Sequence, residues 1–159
     1  MAENFREMRR FKQALTQEEC RAILKEGKRG VLAVLGDGGY PYAVPLNFVY
    51  ADGRLYFHMA LAGHKLDALR SCDKCSFNVL KQGEKSDDGW SYFFDSVTVF
   101  GRLREIDDAA EKVERLRLLG QKYFPTVEMV DSDIEKNGAR CTVVELKIEH
   151  MSGKHVHER

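Results

Sequence analysis

Apolar and polar residues alternate at a period of two along much of this chain, and only a few stretches repeat at helical spacing. Thr142, Val144, Leu146 and Ile148 alternate with Val143, Glu145, Lys147 and Glu149, which predicts a strand with one wet face. Over 92–104, Val97, Val99, Gly101 and Leu103 share one face and Ser96, Thr98, Phe100 and Arg102 the other, predicting a long strand. Residues 30–35 form a nearly continuous apolar run, which predicts a strand buried on both sides. The run 40–50 alternates cleanly, with Pro41 and Pro45 in one register, as on an edge or bulged strand. Residues 54–59 and 75–81 complete the set, and tight turns are expected at 36–39 and 51–53.

Helical signals are fewer. Thr16 and Glu19 make a capping box for a helix that carries Cys20, Ile23 and Leu24 inward and stops at Gly27. Residues 63–71 predict a short helix with Leu66 and Leu69 inward. The strongest signal is 107–124, with Asp107 as cap and Val113, Leu116, Leu119 and Tyr123 in phase. Pro125 ends it, and 126–138 predict a short, imperfect helix. The remainder reads as a polar arm at 1–15 (with Phe5, Met8 and Phe11 able to pack), a mobile charged loop at 83–89 and a lightly packed tail at 150–159. Arg102 and Arg104 read as a solvated strand face. The sum is mainly β (α+β): about six antiparallel strands and three helices in one domain over 1–159, a barrel or sandwich rather than a βαβ fold.

Composition narrows the function classes. Acidic and basic residues balance at 25 each among 159, so no net field steers the chain toward nucleic acid or anionic lipid. No apolar run approaches a membrane span, and the first residues lack a secretion-signal pattern. Cys20, Cys72, Cys75 and Cys141 are too scattered for a disulfide scaffold, so a reduced, cytoplasmic setting is expected. Cys72 and Cys75 have C-x-x-C spacing but no second pair, and read as ordinary thiols. No metal site is expected, although His150, His155 and His157 could chelate adventitiously.

The candidate chemistry lies at 57–65. A strand ending in Phe57 and His58 turns through Gly63, His64 and Lys65 into a helix, bringing cationic side chains to free backbone amides. Those are the parts of a phosphate site. A lysine in the first helical turn opposes the helix dipole, which argues for an anionic partner beside Lys65.

The residues Gly30–Ala33, Gly39–Asn47, Tyr56–Ala60 with Gly63, His64 and Lys65, Ser96–Arg102 and Met151–Lys154, in that order, resemble the split-barrel flavin-binding superfamily of pyridoxamine-phosphate oxidase. The nitroimidazole-resistance branch is the most similar. The resemblance implies a six-stranded antiparallel split barrel, and a homodimer holding FMN at the subunit interface. It also implies that Val44, Pro45, Leu46 and Asn47 run beside the flavin ring. Phe57 and His58 would stand near the ring, His58 being the candidate catalytic group, and His64 and Lys65 would hold the phosphate. Ser96 and Val97 would complete the site, and Arg29 is a lesser addition. The oxidases prefer Gln at Ser96 and often Arg-Lys where this chain has His64 and Lys65, which weakens the bidentate grip.

The expected function is an FMN-dependent oxidoreductase reducing small organic acceptors such as nitroaromatic compounds, with a nicotinamide electron donor. Rival expectations are a flavin carrier or sensor without turnover, and a haem-binding protein of the same fold using His150 or the tail histidines. On that last reading, removing 150–159 would abolish haem binding and spare FMN binding. Trp90, Tyr92, Phe93 and Phe94 are equally consistent with packing and with an aromatic wall over the flavin.

Overall fold

The computed structural model describes residues 5–157, and its backbone is organised by one long antiparallel pairing. β8 (Tyr92–Glu105) lies against β9 (Cys141–His157) from Phe93–His157 to Glu105–Val144. A bulge at Phe100/Gly101 bends the pair. Before them come β1 (Ala14–Leu15), α1 (Gln17–Glu26), β2 (Arg29–Leu35), β3 (Pro41–Asn47), β4 (Val49–Ala51), β5 (Arg54–Ala60), α2 (His64–Ser71), β6 (Lys74–Leu80) and β7 (Glu84–Lys85). Helices α3 (Ala109–Tyr123) and α4 (Val127–Asn137) sit between β8 and β9 in sequence. The sheet order is β3-β2-β6-β8-β9-β5-β4, with β1 added to β9 and β7 to β8. This is a curled antiparallel split barrel with peripheral helices.

Inside the curl, Phe77 meets Phe48 and Phe57 edge-on at 5.0 and 5.1 Å, and all three are fully buried. Leu32, Leu55, Val79, Val97, Val99 and Leu146 complete this core, and Cys20, Ile23 and Leu24 of α1 close one end. Truncating one such ring would cost about 3–5 kcal/mol. The capping box forms as expected: Glu19 N donates to Thr16 Oγ1 at 3.2 Å, and Thr16 N to Glu19 Oε2 at 2.7 Å.

Several expectations need correction. The nine-stranded sheet exceeds the six strands expected, partly because β1 and β7 are two-residue additions that only pairing reveals. The run 40–50 is split at Phe48, whose N–H donates to the Tyr123 hydroxyl at 2.9 Å. Residues 150–157 are no loose tail; they extend β9 along β8. Removing 150–159 would therefore strip the barrel of a paired strand, and cannot separate haem from FMN binding. Asp108, not Asp107, caps α3, accepting from Glu111 N at 2.8 Å. The loop at 83–89 is organised into a hairpin with β7, where Asp88 accepts from the N–H groups of Trp90 and Ser91. Of the arm, Phe5 stacks on His150 at 4.6 Å, whereas Phe11 stays exposed. Residues 1–4 lie outside the described range.

Arg102 and Arg104 are not simply solvated. Arg102 bridges Asp73 and Glu149, and Arg104 joins Arg54 on the buried carboxylate of Glu145. Burial raises the Glu145 pKa, but the hydrogen bonds from Arg54 and Arg104 outweigh it and hold the group below the ordinary carboxylate value.

The two sides of the sheet differ in a way the pattern of 30–35 did not predict. Gly30, Leu32 and Val34 point into the curl, but Val31 and Leu35 are 42% and 50% exposed on the outer face. Cross-strand register places Pro45 beside Val31 and Pro41 beside Leu35. The same register places Leu80, 61% exposed, beside Ser96. Over β4, β5 and β9 this outer face is covered by α3, where Leu116 packs on Tyr56, Ile106 and Val143. Over β3, β2, β6 and β8 it carries the exposed side chains of Val31, Leu35, Leu80 and Phe100, the last stacked against Phe5.

Candidate functional site

The β5–α2 turn is where the sequence suggests a phosphate site. Gly63 adopts φ 124°, a conformation reserved in practice for glycine, and no side chain caps α2. Its carbonyl accepts from Leu66 N and Asp67 N, leaving the earlier amides of the first turn directed out of the helix end. A cavity of about 70 Å³ lies there, walled by Tyr42, Met59, Ala60, Gly63, His64 and Lys65. Its scale is that of one phosphate group rather than a whole ligand.

His64 is only partly free to serve it. Its Nε2 accepts the backbone N–H of Asp37 at 3.1 Å, and its ring stacks on Tyr42 at 4.2 Å. The Asp37 carboxylate is 3.7 Å away and almost fully exposed, so the N–H bond is the stronger tie. In this geometry Nε2 is the unprotonated nitrogen, and Nδ1 is the donor left for a ligand.

Strand β3 supplies the next element. It is the sheet edge, and its residues alternate: Tyr42, Val44 and Leu46 pack on the core, while Ala43 and Pro45 face outward. A proline has no N–H to give β2, so the pairs Val31–Pro45 and Leu35–Pro41 are the non-hydrogen-bonded ones. The same parity turns the N–H groups of Ala43 and Asn47 to the open edge. The side chains of Val44 and Leu46 are thus spent on packing, and what this segment offers a planar ligand is backbone.

His58 and Asn47 line a different and larger cavity, of about 420 Å³, beneath α3 and α4. Leu116, Leu119, Phe124, Val130 and Ile134 form its apolar wall. Asp133, Asn137, Arg140 and Cys141 add polar groups to the lining. The structure therefore brings Asn47 and His58 together, and brings His64 and Lys65 together, at separate cavities each walled in part by β3. Phe57 and Val97 are fully buried in the core and touch neither. Ser96 lies on the outer face, in register with Leu80 and Lys154.

The cavity walls from α3 and α4 were not anticipated, because those residues read as ordinary amphipathic faces. Tyr123, which the sequence marks only as one of the in-phase positions of its helix, has a further part. Its hydroxyl lies 2.5 Å from Lys28 O and 2.8 Å from Phe48 O, pinning α3 to the break between β3 and β4. Beside it, Lys122 Nζ donates to Gly27 O and sits over the Phe48 ring at 4.2 Å. Burial there pushes the Lys122 amine down to about 8. The other candidates carry little chemistry. Burial pushes the Cys75 thiol up to about 12, which keeps it protonated and unreactive. His155 Nδ1 is held by Asp95 at 2.5 Å and His150 is stacked under Phe5. Among the described residues, no cluster of three or more His, Cys, Asp or Glu could hold a metal, and no helix is long and apolar enough to cross a membrane.

This geometry has relatives. No curated protein matches the chain, but solved structures do. One is a protein provisionally assigned to 5-nitroimidazole antibiotic resistance from Bacteroides thetaiotaomicron VPI-5482, 20% identical, with a TM-score of 0.76 over 91% of this chain and 87% of that one. An FAD-binding protein from Mesorhizobium loti is 26% identical, with a TM-score of 0.68 over 91% and 97%. The flavocytochrome Anf3 from Azotobacter vinelandii is 23% identical, with a TM-score of 0.74 over 94% and 72%. The sequence profile of pyridoxamine 5'-phosphate oxidase matches residues 16–155. With the split barrel in place and the match spanning nearly every element from α1 to β9, the chain belongs to the pyridoxamine 5'-phosphate oxidase family.

Proposed function

We propose that the protein is a flavin-binding oxidoreductase that holds FMN along the open edge of β3 and reduces small organic acceptors. The observation that carries this reading is that β3 contributes a wall residue to each of the two cavities. Tyr42 walls the phosphate-sized cradle and Asn47 walls the larger chamber. At about 3.3 Å per residue, those positions are about 17 Å apart. That span is comparable with a flavin mononucleotide laid from phosphate to ring. Flavin-binding relatives of the same fold support the cofactor class.

The residues fit the group. Lys65, the first-turn amides of α2 and the free Nδ1 of His64 would hold the phosphate. The outward N–H groups of Ala43 and Asn47, with neighbouring carbonyls, match a ring system that carries both donors and acceptors on one rim. Bound flavin would supply hydride or electron transfer. His58, exposed on β5, would orient the acceptor by a hydrogen bond and exchange a proton with it. The overall exchange with a quinone takes in NADH and one proton and gives NAD⁺ and the hydroquinone.

A second copy of the chain completes the site in this reading. The outer face over β3, β2, β6 and β8 presents Val31, Leu35, Leu80 and Phe100 around Ser76, Asn78 and Thr98, and a partner would cover these exposed apolar side chains. Ser96 lies on that face, which gives it a place at a dimer seam, and the exposed Trp90 on its ordered hairpin could reach across it. The non-catalytic carrier remains the rival reading, because flavin retention does not require an acceptor chamber.

The test is NADH or NADPH consumption by FMN-loaded protein with a nitroimidazole or a quinone. Turnover that is lost in His58→Ala while FMN stays bound supports the oxidoreductase. Bound FMN with no turnover of any acceptor supports the carrier. Protein that binds no flavin contradicts both.

A further inference from the structure

We infer that the chamber beneath α3 and α4 is the acceptor site, and that it selects small, neutral, planar molecules of one or two rings that carry an oxygen acceptor. This rests on the reading of β3 as the flavin-bearing edge. It goes beyond that reading by assigning the chamber walls and the class of molecule they take.

Size is the first argument. A volume of about 420 Å³ lies near the low end of ligand pockets, which run from ~300 to 1,000 Å³. It admits a nitroheterocycle or a naphthoquinone, but not a whole dinucleotide, so the nicotinamide donor is not the molecule it is built to enclose.

Wall chemistry is the second. Leu119 and Val130 are buried where α3 meets α4, and Leu116 and Ile134 continue the apolar lining. Gly120 sets the separation of the two helices: a Cβ there would lie 2.5 Å from Val130. The flat, apolar side of a ring is the natural filling for such a wall. Asp133 and Asn137 share the lining face of α4 with Val130 and Ile134, and Asn47, His58 and Arg140 supply further side-chain donors around the chamber. The formal charges of Asp133 and Arg140 oppose each other, so the chamber carries no net field that would draw in a strongly anionic or cationic ligand.

Position is the third. Asn47 ends the strand whose edge would bear the flavin, and His58 lies on the outer face of β5, the strand that leads into the phosphate cradle. A molecule in this chamber stands at the ring end of the proposed cofactor, not at its phosphate end. The 260 Å³ hollow near Ile23, Val79 and Gln82 has no such relation to β3 or to His58.

The experiment is titration of flavin-free, full-length protein with menadione, followed by calorimetry and by amide chemical shifts. Menadione is expected to bind, with shift changes concentrated at 116–124 and 133–141. Ile134→Trp, which fills the chamber from α4, is expected to weaken menadione at least tenfold while FMN affinity stays within twofold. Should Ile134→Trp misfold, Leu116→Phe narrows the same space and the shift map of the wild type decides alone. Shift changes confined to another surface, or a folded Ile134→Trp protein that binds menadione as the wild type does, would overturn the inference. The two readings fail separately. Menadione in the chamber without any FMN binding would refute the flavin reading and leave the chamber a ligand site. FMN binding with no menadione in the chamber would refute the chamber alone.

Discussion

His64 ties the start of α2 to the β2–β3 turn, because its Nε2 accepts the backbone N–H of Asp37 at 3.1 Å. The same ring lies flat on Tyr42 at 4.2 Å. A residue expected to serve a ligand is thus also a structural brace for the cradle. His64→Ala should destabilise the flavin-free protein by about 1–2 kcal/mol, summing one hydrogen bond and one ring contact. Urea denaturation without flavin measures this directly, and unchanged stability would assign His64 to ligand binding alone.

The outer sheet face leads to a second expectation. Val31→Arg or Leu80→Arg places a charge among the exposed apolar side chains of this face without touching the core. Either change should convert a dimer to a folded monomer in sedimentation experiments and weaken FMN binding by at least tenfold. A wild-type protein that sediments as a monomer and still binds FMN tightly would contradict the two-copy site.

Lys122 gives a pH signature. Its folded value of about 8 lies below its ordinary 10.5 because burial disfavours the ammonium. Between those values the unfolded chain holds a proton that the folded chain has lost, so this group makes stability rise with pH over that window. Buried thiols and phenols pull the other way, so the comparison must be a difference. The stability of wild type minus that of Lys122→Met should increase from pH 8 toward pH 10.5. A flat difference would place the Lys122 amine in water rather than against Gly27 and Phe48.

The sequence exposed those features whose causes are local. The Thr16–Glu19 box, the alternation of 92–104 and the glycine turn before Lys65 are each decided within a few residues. Features set by distant partners stayed hidden. The break at Phe48 depends on a Tyr123 hydroxyl that arrives from the far end of α3. The extension of β9 through His157 is written in mixed polar residues that look like a tail until β8 pairs with them. The run 30–35 read as a buried strand, and its composition gave no sign that Val31 and Leu35 face outward. Asn47 and His58 were each singled out, but nothing in their spacing revealed that helices from 109–137 would roof them into one chamber.

The central claim is that a phosphate sits in the Gly63–Lys65 cradle while a flavin ring lies along β3, and riboflavin, which lacks the phosphate, isolates it. Flavin-free protein titrated with FMN and with riboflavin should bind FMN at least tenfold more tightly, a difference on the scale of a charge-assisted hydrogen bond of ~1.5–3 kcal/mol. In Lys65→Ala that preference should shrink toward parity while riboflavin affinity stays unchanged. Equal affinity for FMN and riboflavin in the wild type, or a preference that survives in Lys65→Ala undiminished, would contradict the account.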